Sequence, residues 1–344
     1  MANTGNRELT DMLDAVLSGR RGDNHVVSGP LEIDRELWAT LEELGLTRLT
    51  AAEDRGGSGA SWTEAALLLS AAGGGAARIP VAENDLLAQW LLGVAGIESS
   101  DGLIRTACVL DGSGSARDVP WARGVDRIVV LWNSPDGWHV ADVDRGAFEI
   151  TEAVNLAQEP RDHVRIDVTT LTGAPVGAET APGFQLRGAL ARTQLMAGAM
   201  ERILDLVVDH TTARTQFGRP LAKFQAVQFM AADIAAESAL ARAAADAAVA
   251  TAVQHGFDSE QAGFAIAAAK SCAGHAASVV ARTAHQALGA IGFTMEHELH
   301  RHANRILSWR SEFGSVRHWD TVLTAAVVEA GSAGLWPLVV EDED

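Results

Sequence analysis

The stretch RTQFGRPLAKFQAVQFMAADIA, Arg214–Ala235, sets a polar turn built on Phe217-Gly218 and Arg219-Pro220 between two Ala-rich helical runs. Glycine at 218 relieves the backbone of a tight turn. Pro220 suits the first turn of the following helix, where its missing N–H is no loss. Arg214, Gln216 and Phe217 are thereby held on a corner between two long helices. An arginine there offers a planar donor fork that suits a pyrophosphate, and Phe217 offers an aromatic face. The same residues also fit a capped helical hairpin with a solvated arginine.

Outward from this corner, residues 183–344 predict helices. The first long one runs roughly over 190–211, the second over 222–254 until GFD breaks it, and the third over 258–288. MEHELHRHANRILSW and WDTVLTAAVVEA form a fourth and a fifth. Such lengths without internal proline, and with Ala-lined faces, predict an antiparallel four-helix-type bundle. QALGAIGFTMEHELHR, Gln286–Arg301, marks the end of the third helix at Gly289. Glycine there permits positive φ or close ligand approach, and it equally serves as an ordinary helix C-cap.

Residues 101–182 change character. LIRTACVL, RIVVLW, GWHVADV and HVRIDV are short, β-branched and bounded by turn residues, with NSPDG as a hairpin connection. They predict a small antiparallel β domain. Residues 1–100 read as helices, with Leu37, Leu41 and Leu44 on one face of DRELWATLEELG. The glycines of AAEDRGGSGAS raise the thought of a phosphate cradle. Without a preceding strand or a terminal Gly-Lys-Ser/Thr they read as a plain loop. The fold class is α+β, mostly α, with a helical segment 1–100, a β segment 101–182 and a helical bundle 183–344.

Charge narrows the function. Lys and Arg number 27 against 45 Asp and Glu, a net −18. That field repels phosphate backbones and anionic lipids, so neither a nucleic acid nor a membrane is expected as a partner. Local arginines still permit small anionic ligands. The two cysteines, Cys108 and Cys272, define no disulfide framework or metal quartet. Reduced thiols and a start without an apolar signal core point to the cytoplasm. The uncharged apolar runs fall short of the ~18 residues of a membrane span, and the EDED tail reads as solvated. His297, His300 and His302 share a helix, but without a companion set at fixed spacing they read as a solvated or interface helix, not a metal site.

RTQFGRPLAKFQAVQ and QALGAIGFTMEHELHR, in this order and about two helices apart, resemble the two C-terminal signatures of the acyl-CoA dehydrogenases. EELGLTRLTAAEDRGGSGAS resembles that family's segment before the β domain. The resemblance implies a helical N-terminal domain, a β middle domain and a C-terminal four-helix bundle that dimerises. It implies FAD, an acyl-CoA substrate and an electron-transfer acceptor protein. Arg214, Gln216 and Phe217 match the segment that reaches across the dimer to the neighbour's FAD, with Arg214 on the pyrophosphate. Phe224 and Gln225 match adenine-side contacts. Gln286 and Gly289 match the Gln-x-x-Gly-Gly that lines the adenosine-diphosphate end, with Ala290 in place of the second glycine.

The chain departs from the family where the chemistry lies. A carboxylate base must remove the α-proton of the thioester while a hydride leaves the β-carbon. In ILSWRSEFGSVRHW, Arg310 falls at the commonest base position by count, and Glu312 is displaced by two residues. The alternative base region, LRGALARTQ, has no acid, and Glu201 lies roughly 20 Å further along the helix. The β segment lacks the loop and strand that hold the flavin ring, and its Trp121 and Trp132 fit neither. A chain keeping only the completing half of a shared site resembles the base-lacking small subunits of α2β2 acyl-CoA dehydrogenases, such as those acting on steroid side-chain CoA thioesters. A homologous base-bearing subunit is then the expected partner. A self-sufficient homo-oligomer using Glu312, and a non-catalytic helical scaffold, are the alternatives.

Overall fold

The computed structural model describes residues 2–18, 29–99 and 102–339. The expectation for the EDED tail lies outside them. In order, the elements are α1 (Ala2–Ser18), α2 (Arg35–Glu43), α3 (Trp62–Gly74), a π-helix (Ala82–Gln89) and α4 (Trp90–Val94). Strands β1 (Arg105–Leu110), β2 (Ser115–Pro120), β3 (Arg127–Ser134), β4 (Gly137–Asp144), β5 (Glu149–Thr151), β6 (Arg161–Arg165) and β7 (Ala174–Val176) follow. Then come α5 (Thr180–Ala213), a short hairpin of β8 (Thr215–Gln216) and β9 (Arg219–Pro220), α6 (Gln225–His255), α7 (Glu260–Leu288), α8 (Leu299–Trp309) and α9 (Val316–Val339). The class is α+β and mostly α.

The chain divides into two compact units: Met1–Leu13 with His25–Leu69 and Ala77–Gly188, and Asp14–Asn24 with Ser70–Ala76 and Ala189–Asp344. In the first, Asp34 caps α2 by accepting from the Leu37 N–H at 2.9 Å. Leu37 and Leu41 point inward, but Leu44 does not: it is the exposed C-cap, and Trp38 is buried beside the other two. The Gly-rich stretch is a loop whose amides serve its own backbone. Ser58, Gly59 and Ala60 donate to the carbonyls of Arg48, Ala51 and Leu49, and a Cβ on Gly57 would meet the Ala51 oxygen at 2.0 Å.

ENDLLAQWLLGVAG is helical, but its first part is wound as a π-helix, all eight residues of which are buried. Its polar side chains are consumed as pegs. Asn84 donates to the Thr47 carbonyl at 2.8 Å and accepts from the Arg105 N–H at 2.8 Å. Asp85 accepts from the Thr50 N–H at 3.0 Å.

The strands form one sheet in the order β1-β3-β4-β7 and another in the order β2-β6-β5. NSPDG is a two-residue hairpin with Ser134 paired to Gly137. The expectation of a purely antiparallel β segment is corrected at β1, which pairs with β3 in parallel, Arg105 opposite Arg127 through Leu110 opposite Trp132. The intervening β2 belongs to the other sheet, which gives the chain the crossover a parallel pair requires.

The second unit is built from long helices. α5 starts at Thr180, ahead of the expected 190, and Pro182 is absorbed in its first turn, where no N–H is needed. Ser259 caps α7 by accepting from the Ala262 N–H at 3.1 Å. Alanines 241, 245, 248, 269, 273, 276, 277 and 284 are buried along α6 and α7. Small side chains bring backbones together most closely where α3 meets α5. A Cβ on Gly73 would lie 2.0 Å from the Leu195 carbonyl oxygen, and one on Gly198 1.9 Å from that of Ser70. The segment Glu260–Phe293 is long and apolar enough to cross a membrane, but most of it is buried inside the unit, as a core helix is.

Candidate functional site

Two sets of residues gather at one end of the helical unit. α6 and α7 have 31 and 29 residues and are joined by four, 256–259. At 1.5 Å per residue both are about 45 Å long, so the end of α7 returns level with the start of α6. The hairpin 214–220 sits at that start, and Gln286–Ala290 at that end.

In the hairpin, Gln216 pairs with Arg219, and Phe217 and Gly218 form the turn at φ 52° and 78°. Two consecutive positive φ values make a two-residue primed turn, a form that normally takes Asn-Gly. A phenylalanine in the first place is strained. Its ring is 89% exposed and meets Phe224 edge-on at 6.1 Å, while Arg219 lies 4.1 Å over the Phe224 ring. Arg214, Gln216 and Gln225 are exposed and Phe224 is half-buried. Among the described residues, no hydrogen bond or salt bridge occupies the Arg214 guanidinium. The expected corner is therefore real, and the two-stranded ladder that stiffens it was not foreseen.

At the second set, Gly289 takes φ 65° and ends α7 with its N–H bonded to the His285 carbonyl. Open space faces its Cβ position. Gln286, Gly289 and Ala290 are exposed, and His285 stacks on the exposed Phe293 at 4.7 Å. A free guanidinium, three primary amides, an unshielded aromatic ring and an open glycine are a donor set that fits the pyrophosphate and adenine end of a dinucleotide. Every one of them faces outward from this chain.

Trp121 and Trp132 are buried. Trp132 is sandwiched between His139, at 5.5 Å, and Gly173, where even a Cβ would be 2.3 Å from the indole.

Carboxylates are engaged elsewhere. Glu312 accepts from Arg192 Nε at 2.6 Å, a guanidinium only 2% exposed. Arg310 donates to Ser278 Oγ at 2.5 Å. Glu201 is held bidentately by Arg242 at 2.7 and 2.9 Å. Asp85 went unremarked in the sequence. Burial pushes its pKa up to about 7 against hydrogen bonds from Thr50 and Ala51 and the charge of Arg48. A perturbed carboxylate is a candidate base, but Asp85 is 2% exposed and turned to backbone amides. The three histidines of α8 and its approach diverge. His297 meets His210 edge-on at 5.8 Å, and the His300 ring reaches the His297 carbonyl. His302 is buried, which pushes its pKa down to about 3.

Residues 24–99 match the family model for the acyl-CoA dehydrogenase N-terminal domain, and residues 186–316 match that for the C-terminal domain. Acyl-CoA dehydrogenase IpdE2 of Mycolicibacterium smegmatis is 27% identical over 307 residues, 87% of this chain and 91% of that one. Acyl-CoA dehydrogenase FadE34 of Mycobacterium tuberculosis is 29% identical over 323 residues, 86% of this chain and 42% of that one. Among solved structures, the ChsE4-ChsE5 complex from Mycobacterium tuberculosis has a TM-score of 0.83 at 21% identity, covering 95% of this chain and 98% of that chain. A Tcur3481-Tcur3483 steroid ACAD variant has a TM-score of 0.81 at 19% identity, covering 96% and 99%. At these identities the structural likeness is one of fold.

Proposed function

The chain belongs to the acyl-CoA dehydrogenase family, and from that premise we propose that it works as the base-lacking subunit of an α2β2 acyl-CoA dehydrogenase. Members of this family bind FAD. Here Arg214 would hold the pyrophosphate, with Gln216 and Phe217 reaching across the interface beside it, Phe224 and Gln225 would meet the adenine side, and Gln286, Gly289 and Ala290 would line the adenosine-diphosphate end. When bound, the flavin accepts the β-hydride of the acyl thioester. This chain's contribution is to bind and orient the cofactor's far end across an interface. A homologous partner subunit supplies the glutamate that takes the α-proton.

One observation carries the reading: Glu312, the acid nearest the base position, is paired with a buried arginine, whereas Arg214 is left unpaired on an exposed corner. A site whose ligand-binding half is open and whose acid is neutralised is a half-site. The substrate class we favour is the CoA thioester of a steroid side chain, supported by the likeness to a steroid ACAD. An electron-transfer acceptor protein in the cytoplasm would reoxidise the flavin.

Co-expression tests the assembly. Alone, the chain is expected to be poorly soluble or colourless. With a base-bearing acyl-CoA dehydrogenase subunit, it should form a heterotetramer with FAD at each heterologous interface. Light scattering and flavin absorbance read size and stoichiometry together. A yellow, active homo-oligomer of this chain alone would overturn the proposal.

A further inference from the structure

The turn between α8 and α9 holds two consecutive residues in the left-handed region, Phe313 at φ 54° and Gly314 at φ 109°. Glycine is required at 314, because a Cβ there would come within 2.6 Å of the Trp319 indole nitrogen. Phe313 has no such licence. A bulky side chain at positive φ persists only where its surroundings hold it.

What holds it comes from α5 and α7. Arg192 donates from Nε to Glu312 at 2.6 Å, and its guanidinium lies 5.3 Å from the centre of the Phe313 ring. Lys270, wholly buried, donates from Nζ to the Trp309 carbonyl at 2.6 Å. The charge of Glu312 favours its ammonium form, against burial and the charge of Arg192. Residues 309, 312 and 313 are thus gripped by a buried guanidinium and a buried lysine amine, and one carboxylate acts on both. Arg310, between them, is set against Ser278.

We propose that Glu312 is a positioning residue of this acyl-CoA dehydrogenase: with Arg192 and Lys270 it locks the 309–314 turn in its strained form and so fixes Arg310 where the count places a base. Its bearing on catalysis rests on the reading that the base comes from another chain; its bearing on the turn does not. A carboxylate bonded to a buried guanidinium is a poor proton acceptor, because protonating it strands the cation. The pairing that spoils Glu312 as a base is the pairing that makes it an anchor.

Hydrogen exchange on the assembled protein, followed at the amides of 310–316, tests this. Glu312→Gln keeps the size and an acceptor oxygen and removes the charge. Exchange in the turn should quicken by at least about tenfold while α6 is unchanged. Arg192→Met should do the same. The double variant should be no faster than the worse single one, because both break one contact. It buries no unpaired guanidinium, so it keeps the test readable where a single variant fails to fold. Arg192→Lys should restore part of the protection, keeping charge but losing the planar fork. In steady state, Glu312→Gln should raise KM for the acyl-CoA with kcat changed only a few-fold and FAD content unchanged. Unchanged exchange in both single variants, or additive effects in the double, would overturn the proposal. So would a fall in kcat of about 10²–10⁴-fold without change in the turn, which would make Glu312 the base. Loss of flavin from an Arg214 variant bears on the proposed function alone.

Discussion

Lys270 donates to the carbonyl of Trp309 at 2.6 Å, a bond between the middle of α7 and the end of α8 from which water is excluded. Burial pushes the Lys270 pKa down to about 7, against the pull of Glu312. The unfolded chain, at the ordinary 10.5, holds more protons than the folded one between those values. Stability of the helical unit is therefore expected to rise with pH from about 7 to 10.5, by at most about 1.4 kcal/mol per unit. Lys270→Met should flatten that slope in urea titrations repeated across the window. An unchanged slope would show that the ammonium is not what titrates.

Asp85 gives the other unit the opposite sign. Its folded pKa of about 7 lies above the ordinary 3.8, so the folded chain holds the extra proton between them. Stability contributed by this group is present below 3.8 and lost as pH rises towards 7. Asp85→Asn keeps an acceptor for the Thr50 amide and should remove the dependence. Exchange rates of the β1 amides against pH, in both proteins, would read it.

Arg214→Ala in the assembled enzyme should weaken FAD by roughly ten- to hundred-fold, the worth of a charge-assisted bond of about 1.5–3 kcal/mol. Arg214→Lys should recover part of it, because an ammonium lacks the fork. Flavin retained on gel filtration measures the effect. Full retention in the alanine variant would remove Arg214 from the pyrophosphate.

Two glycines of the helical unit should respond oppositely to the same methyl group. Gly198→Ala forces a carbon to 1.9 Å from the Ser70 oxygen, so a loss of at least about 1–3 kcal/mol is expected. Gly263 lies within α7 with nothing near its Cβ position, and Gly263→Ala should stabilise by roughly 0.5–1 kcal/mol. Thermal unfolding of the pair decides.

The sequence made the long helices, the NSPDG hairpin and the exposed corner at Arg214 legible, because each depends on neighbours within a turn or two. Leu44 was misplaced for a local reason: α2 stops one residue short of it, and Trp38 fills the face. The parallel pairing of β1 with β3 was hidden, since strand direction in a sheet depends on the path between strands. The π-winding at 82–89 was hidden because all eight residues are buried, so no apolar stripe marks the period. Least legible was Arg192 beside Glu312, 120 residues apart. Counting along the chain showed that Glu312 was displaced from the base position, but only the fold shows what it is attached to instead.

The crossing of Gly73 and Gly198 also bears on how the chain is made. Residues 70–76 belong with 189–344, yet 77–188 lie between them in sequence. On the ribosome, Gly73 emerges well before the carbonyl of Leu195 that it must lie against. A nascent chain therefore carries this segment without its mate until α5 has been synthesised. Neither unit can be excised as one unbroken stretch of gene. Shuffling the helical unit into another protein would require moving three separated pieces of coding sequence together.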